Sequence, residues 1–235
     1  MILCPEKLLV VKNIHKRFGG VVALEDVSFD VEKGEILGVI GPNGAGKTTL
    51  LNILSGFLKP DSGQIFYKGR NITNLAPHKR VKIGIVRTFQ IPRPIPDFTV
   101  LDYLVTSSLS VAGKISEKIL NDLGLSNVSY LKTGELTVIE KKRLELARAL
   151  TLNPELLLVD EVMAGSRPHE IEHFVNLLKS QREKGVTIIF IEHIMQAVSL
   201  LADRVIVLDQ GRKIAEGIPH RVLSDISVIK AYLGE

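Results

Sequence analysis

One run of eight residues restricts this chain more than any other: Gly41-Pro42-Asn43-Gly44-Ala45-Gly46-Lys47-Thr48. It has the spacing of a phosphate-binding loop and the flanks such a loop requires. Residues 35–40 form a short apolar segment that reads as a buried strand. Residues 47–58 read as a helix with Leu50, Leu51, Ile53, Leu54 and Phe57 on one side. The residue types follow from the chemistry. Glycine lets backbone N–H groups converge on phosphate oxygens with no side chain in the way. A helix that starts at the loop turns the positive end of its dipole toward the same anion. Lys47 then reaches the outer phosphates of a nucleoside triphosphate, and the hydroxyl of Thr48 can ligate Mg2+. The binding run extends to Thr49.

The rest of the chain supplies a sheet to carry that loop. Segments 8–11, 27–31 and 64–67 are short, partly alternating and bounded by turn residues such as Pro60-Asp61-Ser62-Gly63. Further on, residues 156–160, 186–192 and 204–209 read as strands, with helices at 171–184 and 194–202 between them. Such alternation implies a parallel sheet with right-handed crossovers. Residues 91–150 open with Pro92, Pro94 and Pro96, read as helices and hold no strong strand. They are expected to form a helical subdomain inserted between residues 1–90 and 151–235 of a single domain. A chain of 235 residues can bury one large core with such a small appendage.

Ligands of a parallel sheet bind beyond the C-terminal ends of its strands. Three segments bring polar residues there. Leu156-Leu157-Leu158-Val159 ends in Asp160 and Glu161. Asp160 is placed to hold Mg2+, directly or through water, and Glu161 can take a proton from an attacking water. His193 follows segment 186–192 and can sense a terminal phosphate. Gln90 ends segment 83–89 and can bind Mg2+ or the attacking water.

Composition removes several other classes. Mean hydropathy is high, +0.20, yet no apolar run approaches the ~18 residues of a spanning helix. Thirty Lys and Arg against 26 Asp and Glu leave a charge of only +4. The basic clusters Lys79-Arg80-Lys82 and Lys141-Lys142-Arg143 are short and separated, and read as solvated faces. With aromatics at 5%, no nucleic-acid partner is expected. The sole cysteine, Cys4, excludes an intramolecular disulfide and fits a reducing compartment. Residues 1–6 have no signal-peptide core, so a cytoplasmic location is expected.

Taken in order, GPNGAGKTT at 41–49, Gln90, LTVIEKKRLELARAL at 136–150, LLLVDE at 156–161 and His193 resemble the ATPase subunits of ABC transporters. The resemblance implies an α/β P-loop NTPase with a RecA-like parallel sheet core, an antiparallel β subdomain and the helical insert. It implies ATP and Mg2+ as ligands and hydrolysis coupled to transport at the cytoplasmic face of the membrane. The implied partners are transmembrane permease subunits, a second ATPase subunit and an extracytoplasmic substrate-binding protein. Phe18 takes the place of the aromatic that stacks on adenine, the alternative being a plain apolar strand end. Arg87-Thr88-Phe89-Gln90, Glu161-Val162-Met163-Ala164-Gly165 and the tail from Ala215 to Glu235 are similar to branched-chain amino acid importers. Hydrophobic amino acids are the implied cargo. The segment 91–98 falls where the family meets its permease.

The sequence departs from the family at its signature loop, usually Leu-Ser-Gly-Gly-Gln. Here that loop is Leu136-Thr137-Val138-Ile139-Glu140. In the family it caps the γ-phosphate held by the opposite subunit. Val138 and Ile139 add bulk, Glu140 adds negative charge, and Thr137 keeps a hydroxyl donor. Ser166 and Arg167 also replace the family's Leu and Asp or Asn. Pairing with a different ATPase subunit is therefore expected, with one competent site and one slow site, and an identical pair is the alternative. Two other classes remain: a soluble ABC ATPase, and a nucleotide-gated subunit that hydrolyses weakly.

Overall fold

The computed structural model describes residues 6–90, 93–107 and 117–233. Cys4, Ile91, Pro92 and the last two residues, each used in the reading above, lie outside that set. The described chain opens with β1 (Lys7–Phe18) and β2 (Val21–Glu32), a long antiparallel hairpin. β3 (Ile36–Ile40) leads into the phosphate loop and α1 (Lys47–Ser55). β4 (Ser62–Tyr67) and β5 (Arg70–Asn71) complete a four-stranded antiparallel sheet in the order β2-β1-β4-β5. α2 (Pro77–Lys82) and β6 (Ile85–Arg87) follow.

The helical stretch holds α3 (Val100–Ser107), α4 (Glu117–Asp122) and α5 (Val138–Thr151), with two short 3-10 turns before α5. Then come β7 (Leu156–Asp160), α6 (Pro168–Glu183), β8 (Thr187–Ile191), α7 (Met195–Leu201), β9 (Arg204–Asp209) and β10 (Arg212–Gly217). α8 (Pro219–Leu223) and α9 (Ile226–Leu233) end it. The second sheet has the order β10-β9-β3-β8-β7-β6, parallel throughout except for β10 at its edge.

All five residues of β3, β7 and β8 are buried, as a sheet covered on both faces requires. Side chains alternate between the two faces. Ile36, Leu157, Val159, Ile188 and Phe190 face one core, shared with helices α3, α5 and α6. Leu37, Val39, Leu158, Ile189 and Ile191 face the other, shared with α1 and the antiparallel sheet. No helix among the described residues is long and apolar enough to cross a membrane.

Four local expectations are corrected. α1 stops at Ser55 because Gly56 takes a left-handed conformation, φ 82°, and caps it; Phe57 is outside the helix and exposed. The strand expected at 83–89 is only Ile85–Arg87, since Gly84 turns the chain before it at φ 91°. α6 starts three residues before Ile171, at Pro168, whose ring presets the first helical turn. Finally, the basic clusters are not plain solvated faces. Arg80 is 1% exposed, and its guanidinium donates to the carbonyls of Ile53, Leu54, Ile72, Thr73 and Leu75, closing the C-terminal end of α1. Lys142 is buried as well, and Arg143 pairs with Glu170 at 3.3 Å.

Candidate active site

The phosphate loop is held from below by backbone. At Gly41, φ is 145° and a Cβ would stand 1.9 Å from the Leu208 carbonyl oxygen. At Gly46 a Cβ would meet the Ala23 oxygen at 2.4 Å. Side chains are excluded at both points by β9 and β2, so glycine is a steric requirement there. The first turn of α1 has no side-chain cap and no acidic residue, which leaves its N–H groups and dipole for an anion. Lys47 is buried and donates to the carbonyls of Gly41 at 2.7 Å and Pro42 at 2.8 Å. Burial lowers its pKa, opposed by the charges of Glu161 and Asp160. The ammonium therefore lies across the loop, next to the two carboxylates.

β7 delivers those carboxylates. Asp160 is 1% exposed. Its Oδ2 accepts from Arg87 at 2.7 Å, while its Oδ1 is buried with no hydrogen-bond partner among the described residues. Burial raises its pKa, and Arg87 pulls the other way. Arg87 also donates to Asn52 Oδ1 at 2.6 Å and to Ser55 Oγ at 3.2 Å, which fixes it against α1. A buried carboxylate oxygen left open beside a threonine hydroxyl suits a hard divalent cation. Thr48, Gln90 and Asp160 line one cavity of about 610 Å³, so the donor set fits Mg2+.

Glu161 sits in the left-handed region at φ 47°, unusual for a residue with a side chain. Its amide donates to the Ile191 carbonyl at 3.0 Å, which ties it to the end of β8. Its carboxylate is shared: Oε2 accepts from Gln90 Nε2 at 2.6 Å, and Oε1 lies 2.5 Å from His193 Nε2. Gln90, Glu161 and His193, from three different strand ends, thus form one chain of contacts beside Asp160 and Lys47. Phe18 closes β1, half exposed, with the Lys16 ammonium 5.6 Å from its ring centre. Its hairpin reaches the loop through Ala23, the neighbour of Gly46.

Residues 136–140 are elsewhere, at the start of α5, and none of them lines that cavity. Thr137 keeps its hydroxyl donor, as expected, but uses it within its own helix. Thr137 is the N-cap of α5, and its hydroxyl and amide both donate to Glu140 Oε2, at 2.7 and 2.8 Å. The two form a reciprocal capping box. The Glu140 charge is turned back onto its own helix, while Val138 is 70% exposed.

Sequence reasoning missed three residues here. Arg87 holds Asp160. Lys142 donates to the carbonyls of Ala164 at 2.6 Å and Glu161 at 3.2 Å. Glu192, 1% exposed, accepts the Met163 amide at 2.8 Å. Arg87 and Glu192 are ionisable residues at the ends of apolar strands, a signal that was legible.

A family model described as ABC transporter matches residues 24–164. The probable branched-chain amino acid transport ATP-binding protein LivG of Methanocaldococcus jannaschii is 37% identical over 252 residues, covering 97% of this chain and 98% of that protein. A nucleotide-free ATP-binding cassette from an ABC transporter superposes with a TM-score of 0.90 at 36% identity, over 98% of this chain and 100% of the other. A dimeric, post-hydrolysis cassette bound to ADP and phosphate gives a TM-score of 0.81 at 26% identity, over 90% and 98%.

Proposed function

The chain belongs to the ABC transporter family as an ATP-binding, ATP-hydrolysing subunit, and from that premise we propose that it energises the import of branched-chain, hydrophobic amino acids. The cargo reading rests on the near full-length similarity to LivG. The chemistry rests on one observation above the rest: a single carboxylate, Glu161, bridges Gln90 and His193 beside a buried aspartate with an open oxygen.

In this reading Lys47 leaves the carbonyls of Gly41 and Pro42 for the β- and γ-phosphates, joined by the amides of residues 43–49. Phe18 stacks on the adenine. Thr48, the open Oδ1 of Asp160 and Gln90 would hold Mg2+, which would supply charge neutralisation at the phosphates. Gln90 orients the attacking water, Glu161 accepts its proton, and His193 contacts the γ-phosphate. Phosphoryl transfer asks for little more than such positioning and charge stabilisation.

Two cassettes clamp two ATP molecules, and the partner cassette is a different chain. The capping box supports this, because Thr137 and Glu140 satisfy each other and offer little to a partner's phosphate. Residues from about 91 to 150 act as the helical subdomain that carries segment 136–140 to the partner. Residues 93–98 meet the permease at the cytoplasmic membrane face, and an extracytoplasmic binding protein supplies the cargo. Replacing Glu161 by Gln is expected to keep ATP binding and abolish turnover in the assembled transporter. Wild-type turnover in that variant would remove Glu161 from the role of base.

A further inference from the structure

Glu161 needs outside help to stay where it is. A residue with a side chain is strained in the left-handed region, and Glu161 has φ 47°. The segment that follows is gripped from two sides by buried charges. From α5, the Lys142 ammonium donates to the carbonyls of Glu161 and Ala164. From the end of β8, a Glu192 oxygen accepts the amide of Met163, which lies between them. The hydrogen bonds of the buried Lys142 ammonium go to these two carbonyls, and the charges of Glu192 and Glu161 lie close enough to act on it. An apolar side chain would fill the same space without the desolvation cost.

The same helix also holds the other arm of the site. Arg148 donates to the Arg87 carbonyl at 2.9 Å, and Glu145 accepts the Phe89 amide at 3.2 Å. α5 therefore touches both the segment that carries Gln90 and the segment that carries Glu161. Segment 136–140 leads into its first turn, and Lys142 lies about 6 Å along the axis from Val138.

We infer that Lys142 and Glu192 are positioning residues for hydrolysis, which hold the Glu161–Ala164 segment so that the set of α5 decides the placement of the Glu161 carboxylate. The inference rests on the reading of Glu161 as the base. A movement imposed on the start of α5 by a partner cassette is carried by Lys142 to the Glu161 carbonyl. Turnover then waits for the pair to close, although nucleotide binding does not.

The test compares Lys142→Met, Lys142→Arg, Glu192→Ala and Glu161→Gln in the assembled transporter, with kcat, KM for ATP and ATP affinity measured for each. Lys142→Met and Glu192→Ala are expected to lower kcat about tenfold or more, since small misplacements are costly in catalysis. KM and affinity stay within about twofold, because neither residue belongs to the phosphate loop. Lys142→Arg, whose fork can serve both carbonyls, recovers most of the loss. Wild-type kcat in Lys142→Met, an equal loss of affinity, or no recovery with Arg overturns the inference. Should one of the two truncations fail to bind nucleotide, the other decides by the same criteria. Turnover retained by Glu161→Gln would instead sink the base assignment, an outcome distinct from failure of the positioning role.

Discussion

Burial pushes the Glu192 carboxyl up to about 7, opposed by the Met163 amide and raised further by the charge of Glu161. An ordinary glutamate titrates near 4.5. Between these two values the folded chain binds more protons than the unfolded one. This group therefore withdraws stability as pH rises through that window, by about 3 kcal/mol in full. Glu192→Gln removes the titration. The difference in unfolding free energy between variant and wild type should shift in the variant's favour from pH 4.5 to pH 8, read by denaturant unfolding at both. A difference that stays constant contradicts the buried, titrating carboxyl. At this scale the phosphate loop, Asp160 and Glu161 were legible where apolar strand runs end; Gln90 and His193 lie past the ends of their strands and were legible only from the order of the motifs. Lys142 and Arg80 were not. Both lie in basic clusters, and only the loop or helix end that each side chain reaches decides its burial.

Among the elements, the strands with five buried residues were the easiest to read, since continuous apolar runs of that length have few other uses in an α/β fold. The C-terminal elements were harder. β10 is an edge strand with alternating exposure, and α8 is one turn long, so neither has a strong periodic signal. α9 nevertheless reaches the site. The Gly41 amide donates to the Tyr232 hydroxyl at 2.8 Å, which fastens the first residue of the phosphate loop to the last helix. The rest of α9 is loosely held, with Ile226 and Leu233 about two-thirds exposed. Tyr232→Phe removes one hydrogen bond worth about 1 kcal/mol. ATP affinity is expected to fall by roughly fivefold, and hydrogen exchange at the Gly41 amide to accelerate. Unchanged affinity and exchange would show that the loop holds its shape without α9.

The whole molecule is a sheet with two cores, one shared with the helices and one with the antiparallel sheet. Candidate site residues from the loop after β3 and from the segments after β6, β7 and β8 meet at one end of it. Segment 136–140, at the start of α5, does not line that cavity, and in the proposed function it serves a second cassette. Because that segment is self-capped, the purified chain alone should hydrolyse ATP slowly. Addition of a partner cassette with a glycine-containing signature loop should restore the rate. Robust, cooperative hydrolysis by this chain alone would instead establish an identical pair. All of these expectations depend on a triphosphate seated in the loop from Gly41 to Thr48. Calorimetric titration of the chain with ATP and Mg2+ measures this most directly. One nucleotide should bind per chain, with binding strongly weakened in Lys47→Ala. Absence of binding with Mg2+ present, or equal binding by that variant, would contradict it.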